Sequence, residues 1–89
     1  MRIPHLIDGK AVESRECFET VNPANQQVLA EVAAGGEAEV HAAVAAAKAA
    51  FPKWAATPAV DRAKMMHKLG ELITKHVAEI SAIETGDTG

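Results

Sequence analysis

The pair Gly35-Gly36 separates two stretches that obey different periodicities, and that change of rule constrains the fold more than any single residue. Before the glycines the signals are those of strands. His5-Leu6-Ile7 and Ala11-Val12 flank Asp8-Gly9, a pair suited to a tight hairpin turn whose central residues both need a positive φ. Phe18-Glu19-Thr20-Val21 runs into Asn22-Pro23-Ala24-Asn25, a turn-forming cluster, and Val28-Leu29-Ala30-Glu31-Val32 follows with weak alternation. The pattern predicts two short antiparallel hairpins, over residues 4–14 and 17–33.

Beyond Gly36 the period becomes helical, and three helices are predicted within residues 37–86. Val40, Val44, Ala47 and Phe51 fall on one face of the first, and the alanines between them supply helix propensity. Pro52 is expected to stop that helix. Thr57-Pro58 is expected to start the next, with Thr57 as N-cap and Pro58 in the first turn. There, Met65, Met66, Leu69, Leu72 and Ile73 cover an apolar arc of roughly 120°. Lys64, His67, Lys68, Glu71 and Lys75 lie opposite, and Glu71 and Lys75 have the spacing of an ion pair. Gly70 borders the arc, which suggests close approach of a neighbouring element. The third helix is expected to turn Val77, Ile80 and Ile83 inward and to end near Gly86. The fold class is therefore α+β, two short N-terminal β-hairpins followed by three helices.

Length makes this one small domain or part of a larger one. Of the 89 residues 48% are hydrophobic, but many are alanine, and there are only one Trp, two Phe and no Tyr. A chain so poor in large side chains has few anchors for a core of its own, so it is expected to pack on something outside itself. The net charge of −3 and the scattered basic residues exclude a nucleic-acid surface or a polybasic membrane patch. A single cysteine excludes an internal disulfide and fits a reducing compartment. The opening Met1-Arg2-Ile3-Pro4-His5 has no apolar signal core, and no apolar stretch is long enough to span a bilayer, so the expected location is the cytoplasm.

Few residues invite chemistry. Cys17 lies between Glu16 and Glu19, whose charges oppose thiolate formation, so a nucleophilic role is disfavoured. No two of His5, His41, His67 and His76 share a metal-ligand spacing, and His76, near a helix end, is placed to cap carbonyls. Gly35-Gly36 precedes a helix but lacks the rest of a phosphate-binding fingerprint, which leaves a loop-and-cap role. Glu84 and Asp87, set among glycines, form the densest polar cluster. On the residues alone they read as a helix end and a solvated turn, with Asp87 as a possible ligand for a hard cation.

Taken in order, the blocks resemble the N-terminal region of the aldehyde dehydrogenase superfamily. Leu6-Ile7-Asp8-Gly9-Lys10 is similar to its opening hairpin, and Phe18-Glu19-Thr20-Val21-Asn22-Pro23-Ala24 with Val28–Val32 to its second. Residues 40–51 with Trp54 resemble its first helix, residues 61–73 its second, and Glu84-Thr85-Gly86-Asp87-Thr88-Gly89 the acidic block closing the third. The resemblance runs over essentially the whole chain. It implies a segment of the larger α/β cofactor-binding domain of an NAD-dependent enzyme, which oxidises an aldehyde through a cysteine thioester. Within the superfamily the blocks look most like a branch acting on a muconate-type semialdehyde, and the betaine aldehyde dehydrogenase branch is the near alternative.

The resemblance further implies that the nucleophilic Cys, the base Glu, the oxyanion Asn and the nucleotide-binding glycine loop lie beyond Gly89. No catalytic or NAD-binding residue is then expected within the chain, and the chain alone is expected to be inactive. One set of family site residues does fall here: the carbonyls of Thr20 and Val21 and the carboxylate of Asp87, as ligands of K+ or Na+. The implied partners are the remainder of the parent enzyme and further copies in a homo-oligomer. A free-standing, non-enzymatic interaction module built from the same blocks is the rival from another class.

Overall fold

The computed structural model describes residues 1–89. In chain order it contains β1 (Arg2–Ile3), β2 (His5–Ile7), β3 (Lys10–Val12), β4 (Cys17–Val21) and β5 (Val28–Ala33), then α1 (Glu37–Ala56), α2 (Ala59–Lys75) and α3 (Val77–Thr88). This is the α+β order read from the sequence, strands first and helices after. No helix is long and apolar enough to cross a membrane.

Both hairpins form. β2 and β3 pair antiparallel across Asp8-Gly9, whose φ values of 53° and 71° are the positive pair that a two-residue turn demands. β4 and β5 pair antiparallel with a register shift at Thr20/Val21, where Thr20 faces Ala30 but Val21 faces Val28. The link between them is tied by Asn22, whose backbone N–H donates to the Gln27 carbonyl at 2.9 Å and whose side-chain Oδ1 accepts from the Ala24 N–H at 2.9 Å. The sequence reading did not include β1. It adds in parallel to the free edge of β5, Arg2 opposite Glu31 and Ile3 opposite Val32, giving the order β1-β5-β4.

The helical half departs from expectation at its punctuation. α1 runs through Pro52 to Ala56. Proline removes one backbone donor, but the residues on both sides are good helix formers and the helix continues past the gap. It is Thr57 that ends it: the backbone N–H donates to the Trp54 carbonyl at 3.1 Å and the hydroxyl to the Lys53 carbonyl at 2.8 Å. Thr57 therefore closes α1 instead of capping α2, and Pro58 takes the N-cap place before Ala59. α3 passes through Gly86 and ends at Thr88. The Glu71–Lys75 pair does not form, in keeping with the small return on ordering two long exposed side chains; Arg2 forms ion pairs with Glu13 and Glu31, and His41 and His76 make side-chain contacts with Glu37 and Glu79. His76 thus turns its ring to the Glu79 carboxylate at 3.1 Å and not to helix carbonyls.

Only Ala30, Ala33 and Ser14 are buried, all in or beside the sheet. No residue of any helix is buried. The β2–β3 hairpin rests on the small face of α1, where Leu6 and Ile7 meet Ala43, Ala46, Ala47 and Ala50 in a shallow cleft. The larger stripe of Val40, Val44 and Phe51 points away and is exposed. So are Met65, Met66, Leu69, Leu72 and Ile73 of α2. Val77, Ile80 and Ile83 of α3, expected to face inward, are exposed as well. No neighbouring atom comes near the position a Cβ would occupy on Gly70, so the close approach expected there does not occur within this chain.

The result is a slab measuring 48 × 34 × 15 Å. Its radius of gyration is 16.7 Å, where a closed domain of this length has about 12 Å. Its accessible surface is 7244 Å², against about 5,000 Å² for a compact monomer of this mass.

Candidate functional site

Where the slab does fold back on itself, it joins the second hairpin to the closing block of the chain. Thr20, on the last turn of strand before the Asn22-Pro23 link, donates its hydroxyl proton to Asp87 Oδ1 of α3 at 2.6 Å. The glycines of the closing block allow this approach. A Cβ on Gly86 would lie 4.0 Å from the Leu29 methyls, in ordinary contact, and a Cβ on Gly89 would come within 2.9 Å of Pro23 Cγ. Gly89 also has a φ of +83°, which favours glycine. The end of α3 therefore lies along Thr20, Pro23 and Leu29.

The cleft between sheet and helix has an apolar floor, with Ile3, Phe18, Leu29 and Val32 facing Ile83, and a polar mouth at Thr20, Glu84 and Asp87. Glu84 lines that mouth while its backbone carbonyl accepts the Thr88 hydroxyl at 2.8 Å. Of the three proposed cation ligands, the structure thus brings Thr20 and Asp87 into contact, with Val21 adjacent at the register shift. The carboxylate and the hydroxyl that meet here are both oxygen donors, which fit a hard cation and not a soft one. No three His, Cys, Asp or Glu side chains converge as a transition metal would require.

The other candidates are placed elsewhere. Gly36 precedes α1 and donates its N–H to Glu39 Oε2 at 2.9 Å. That bond, with the Glu39 backbone N–H adding to it, holds the Glu39 carboxyl below the usual glutamate range. The helix N-terminus already holds an anion of its own, so this glycine pair does not fit a nucleotide phosphate. Gly35 sits against the His5 ring, where a Cβ would come within 3.1 Å. Loop and cap is the role the pair performs.

Cys17 lies between Glu16 and Glu19 in sequence, but in space it also has a cation beside it: Arg2 Nη2 donates to Sγ at 3.2 Å. Arg2 is the hub of a cluster that sequence reasoning missed. Its Nε donates to Glu13 Oε2 at 3.0 Å and its Nη2 to the Ser14 carbonyl at 3.3 Å, while Ser14 Oγ meets His5 Nε2 at 2.8 Å. The hydrogen bond donated to Glu13, then the Cys17 and Glu13 charges, raise the Arg2 guanidinium above its already high ordinary value. Nothing in the spacing of residues 2, 5, 13, 14 and 17 announces this cluster, because it depends on β1 folding back beside β5 and on the turn after β3. The cluster ties strands together.

Comparison with known proteins agrees with this placement of blocks. The family described as the aldehyde dehydrogenase family matches residues 10–89. The chain is 54% identical, over 99% of its length, to 5-carboxymethyl-2-hydroxymuconate semialdehyde dehydrogenase of Escherichia coli, and covers 19% of that protein. It is 40% identical, over 99% of its length, to the mitochondrial acylating methylmalonate-semialdehyde dehydrogenase of Arabidopsis thaliana, of which it covers 15%. To the 2-aminomuconic semialdehyde dehydrogenase of Danio rerio it is 37% identical over 98% of its length, covering 18%. It spans less than a fifth of each of these relatives. The chain belongs to the aldehyde dehydrogenase family.

Proposed function

We propose that the chain serves as the N-terminal structural segment of an NAD-dependent aldehyde dehydrogenase, which oxidises 5-carboxymethyl-2-hydroxymuconate semialdehyde to the carboxylate. The observation that carries this reading is the 54% identity to the Escherichia coli enzyme of that name over 99% of the chain. Two other relatives also bear a semialdehyde in their names. The segment's own task is to supply one sheet-and-helix layer of the cofactor-binding domain. Three features support that role: the open apolar stripes of α1, α2 and α3, the uncovered Gly70, and Arg62 Nε, which is shielded from water yet has no hydrogen-bond partner.

NAD supplies the hydride acceptor in such an oxidation. The residues here do not fit it, since Glu39 occupies the only glycine-led helix start, so no step of the reaction passes through this chain. Cys17, held by Arg2, is assigned to the scaffold and not to thioester chemistry. Thr20 and Val21, through their backbone carbonyls, and Asp87, through its carboxylate, would hold K+ or Na+, a hard cation suited to oxygen ligands. The enzyme is taken to be a cytoplasmic homo-oligomer as part of the same proposal.

Purified full-length enzyme should form NADH faster with the muconate semialdehyde than with methylmalonate semialdehyde or betaine aldehyde, and the 89-residue chain alone should form none. NADH production by the isolated chain, or preference for either of the other aldehydes, overturns the reading.

A further inference from the structure

The cation reading uses the backbone carbonyl of Thr20 and leaves its side chain unassigned. Yet that side chain makes the 2.6 Å contact joining β4 to α3, and every other side-chain hydrogen bond of the helical half spans three or four residues. A hydroxyl has one proton to donate. Here it goes to Asp87 Oδ1, which engages one carboxylate oxygen and leaves Oδ2 available. Asp87 is otherwise exposed, on the last turn of α3, and its two side-chain torsions would be free to swing the carboxylate into solvent.

We propose that the Thr20 side chain is a positioning residue for the Asp87 carboxylate, fixing it so that a monovalent cation can be bound between Asp87 and the β4 carbonyls. This rests on the cation reading above. Three local features favour orientation by the hydroxyl over mere proximity. Thr20 is β-branched, with few χ1 rotamers in a strand, so its hydroxyl is aimed by the backbone. The register shift between Thr20 and Val21 sits at the same point: Leu29 of β5 is the extra residue there, so the ladder is locally interrupted beside Thr20. Gly86 and Gly89 bring the helix end close to Leu29 and Pro23, and so set the distance at which a hydroxyl can reach the carboxylate. When no cation is bound, the same hydroxyl proton gives the carboxylate a partner, so the end of α3 stays seated on β4 in either state.

The test uses the full-length enzyme as wild type, Thr20→Val, Thr20→Ser and Asp87→Asn. Each is titrated with KCl and with NaCl at ionic strength held constant by choline chloride, and thermal midpoints are recorded. Wild type and Thr20→Ser should gain stability at the same cation concentration. Thr20→Val, which keeps the branched shape and loses the proton, should need on the order of tenfold more cation, the usual loss when a hydrogen bond behind a metal ligand is removed. Asp87→Asn should lose the response. Thr20→Ala serves as a second deletion should the valine variant not fold. A responsive wild type with a Thr20→Val midpoint unchanged overturns the inference alone. A wild type indifferent to both cations overturns the cation reading and the inference with it.

Discussion

In the strand half, Ala30, Ala33 and Ser14 are buried, and Arg2 reaches Glu13, Ser14 and Cys17 across eleven to fifteen residues of chain. In the helical half no residue is buried, and apart from the Thr20–Asp87 contact its side-chain hydrogen bonds join residues three or four apart. The two regions are ordered by different means. The strands exist because distant residues meet. The helices exist because each turn satisfies itself, through propensity, ends such as Thr57, and backbone bonds within the segment. Helix formation and helix packing are separable, and this chain completes the first without the second.

The largest expected effect sharpens that contrast. Leu69→Ala in the full-length enzyme should cost about 2–5 kcal/mol in denaturant unfolding, because the proposed role places the α2 stripe under another layer. In the isolated chain, where Leu69 is already exposed, Leu69→Glu should instead shift sedimentation toward monomer by removing apolar surface that draws copies together. If both substitutions act alike in both contexts, the helical half is self-sufficient and the contrast fails.

A smaller effect belongs to the strand half. Ser14→Ala removes the partner of His5 Nε2 in a shielded place, and should cost about 1 kcal/mol. Since the bond is internal to this segment, the loss should be the same in the isolated chain and in the enzyme. A loss that appears only in the enzyme would mean that the strands too depend on outside support. Hydrogen exchange in residues 5–12 reads this directly.

The smallest effect lies at the junction. Glu39 has its folded-state carboxyl held low by the Gly36 N–H, so its contribution is present above the unfolded glutamate value, near pH 4.3, and is lost as pH falls through the lower folded value. Glu39→Gln should flatten that acid-side decline slightly and leave stability at neutral pH little changed, because the group is exposed. An acid-side profile identical to wild type would remove any role for this cap charge.

Much of this architecture is legible in the sequence. Asp8-Gly9 announced its hairpin because positive φ at two successive positions leaves few residue choices. The breaks at Gly35-Gly36 and Thr57-Pro58 were likewise local. Pro52 was misread because a proline is a barrier only when the helix beyond it is weak, and Lys53-Trp54-Ala55-Ala56 is not. β1 was invisible because two residues carry no period. The apolar arc of α2 and the inward face expected of α3 are real apolar stripes, but amphipathicity states which face seeks cover and not whether this chain contains the cover. For the candidate site, the resemblance supplied Thr20, Val21 and Asp87. The contact of Thr20 with Asp87, across 67 residues, required the fold. The Arg2 cluster had no signal in the sequence at all, and only the return of β1 to β5 made it.

The 15 Å thickness has a thermodynamic corollary. A chain of this mass exposes roughly 13,500 Å² when extended, so a folded surface of 7244 Å² hides less than half of it from water. Heat capacity of unfolding follows the area newly wetted. The isolated segment should therefore have a shallow stability curve and a small denaturant slope for its length, melting over a wide range of temperature with little absorbed heat. Calorimetry of the full-length enzyme would register the missing area as heat capacity belonging to the interface between this layer and whatever covers it.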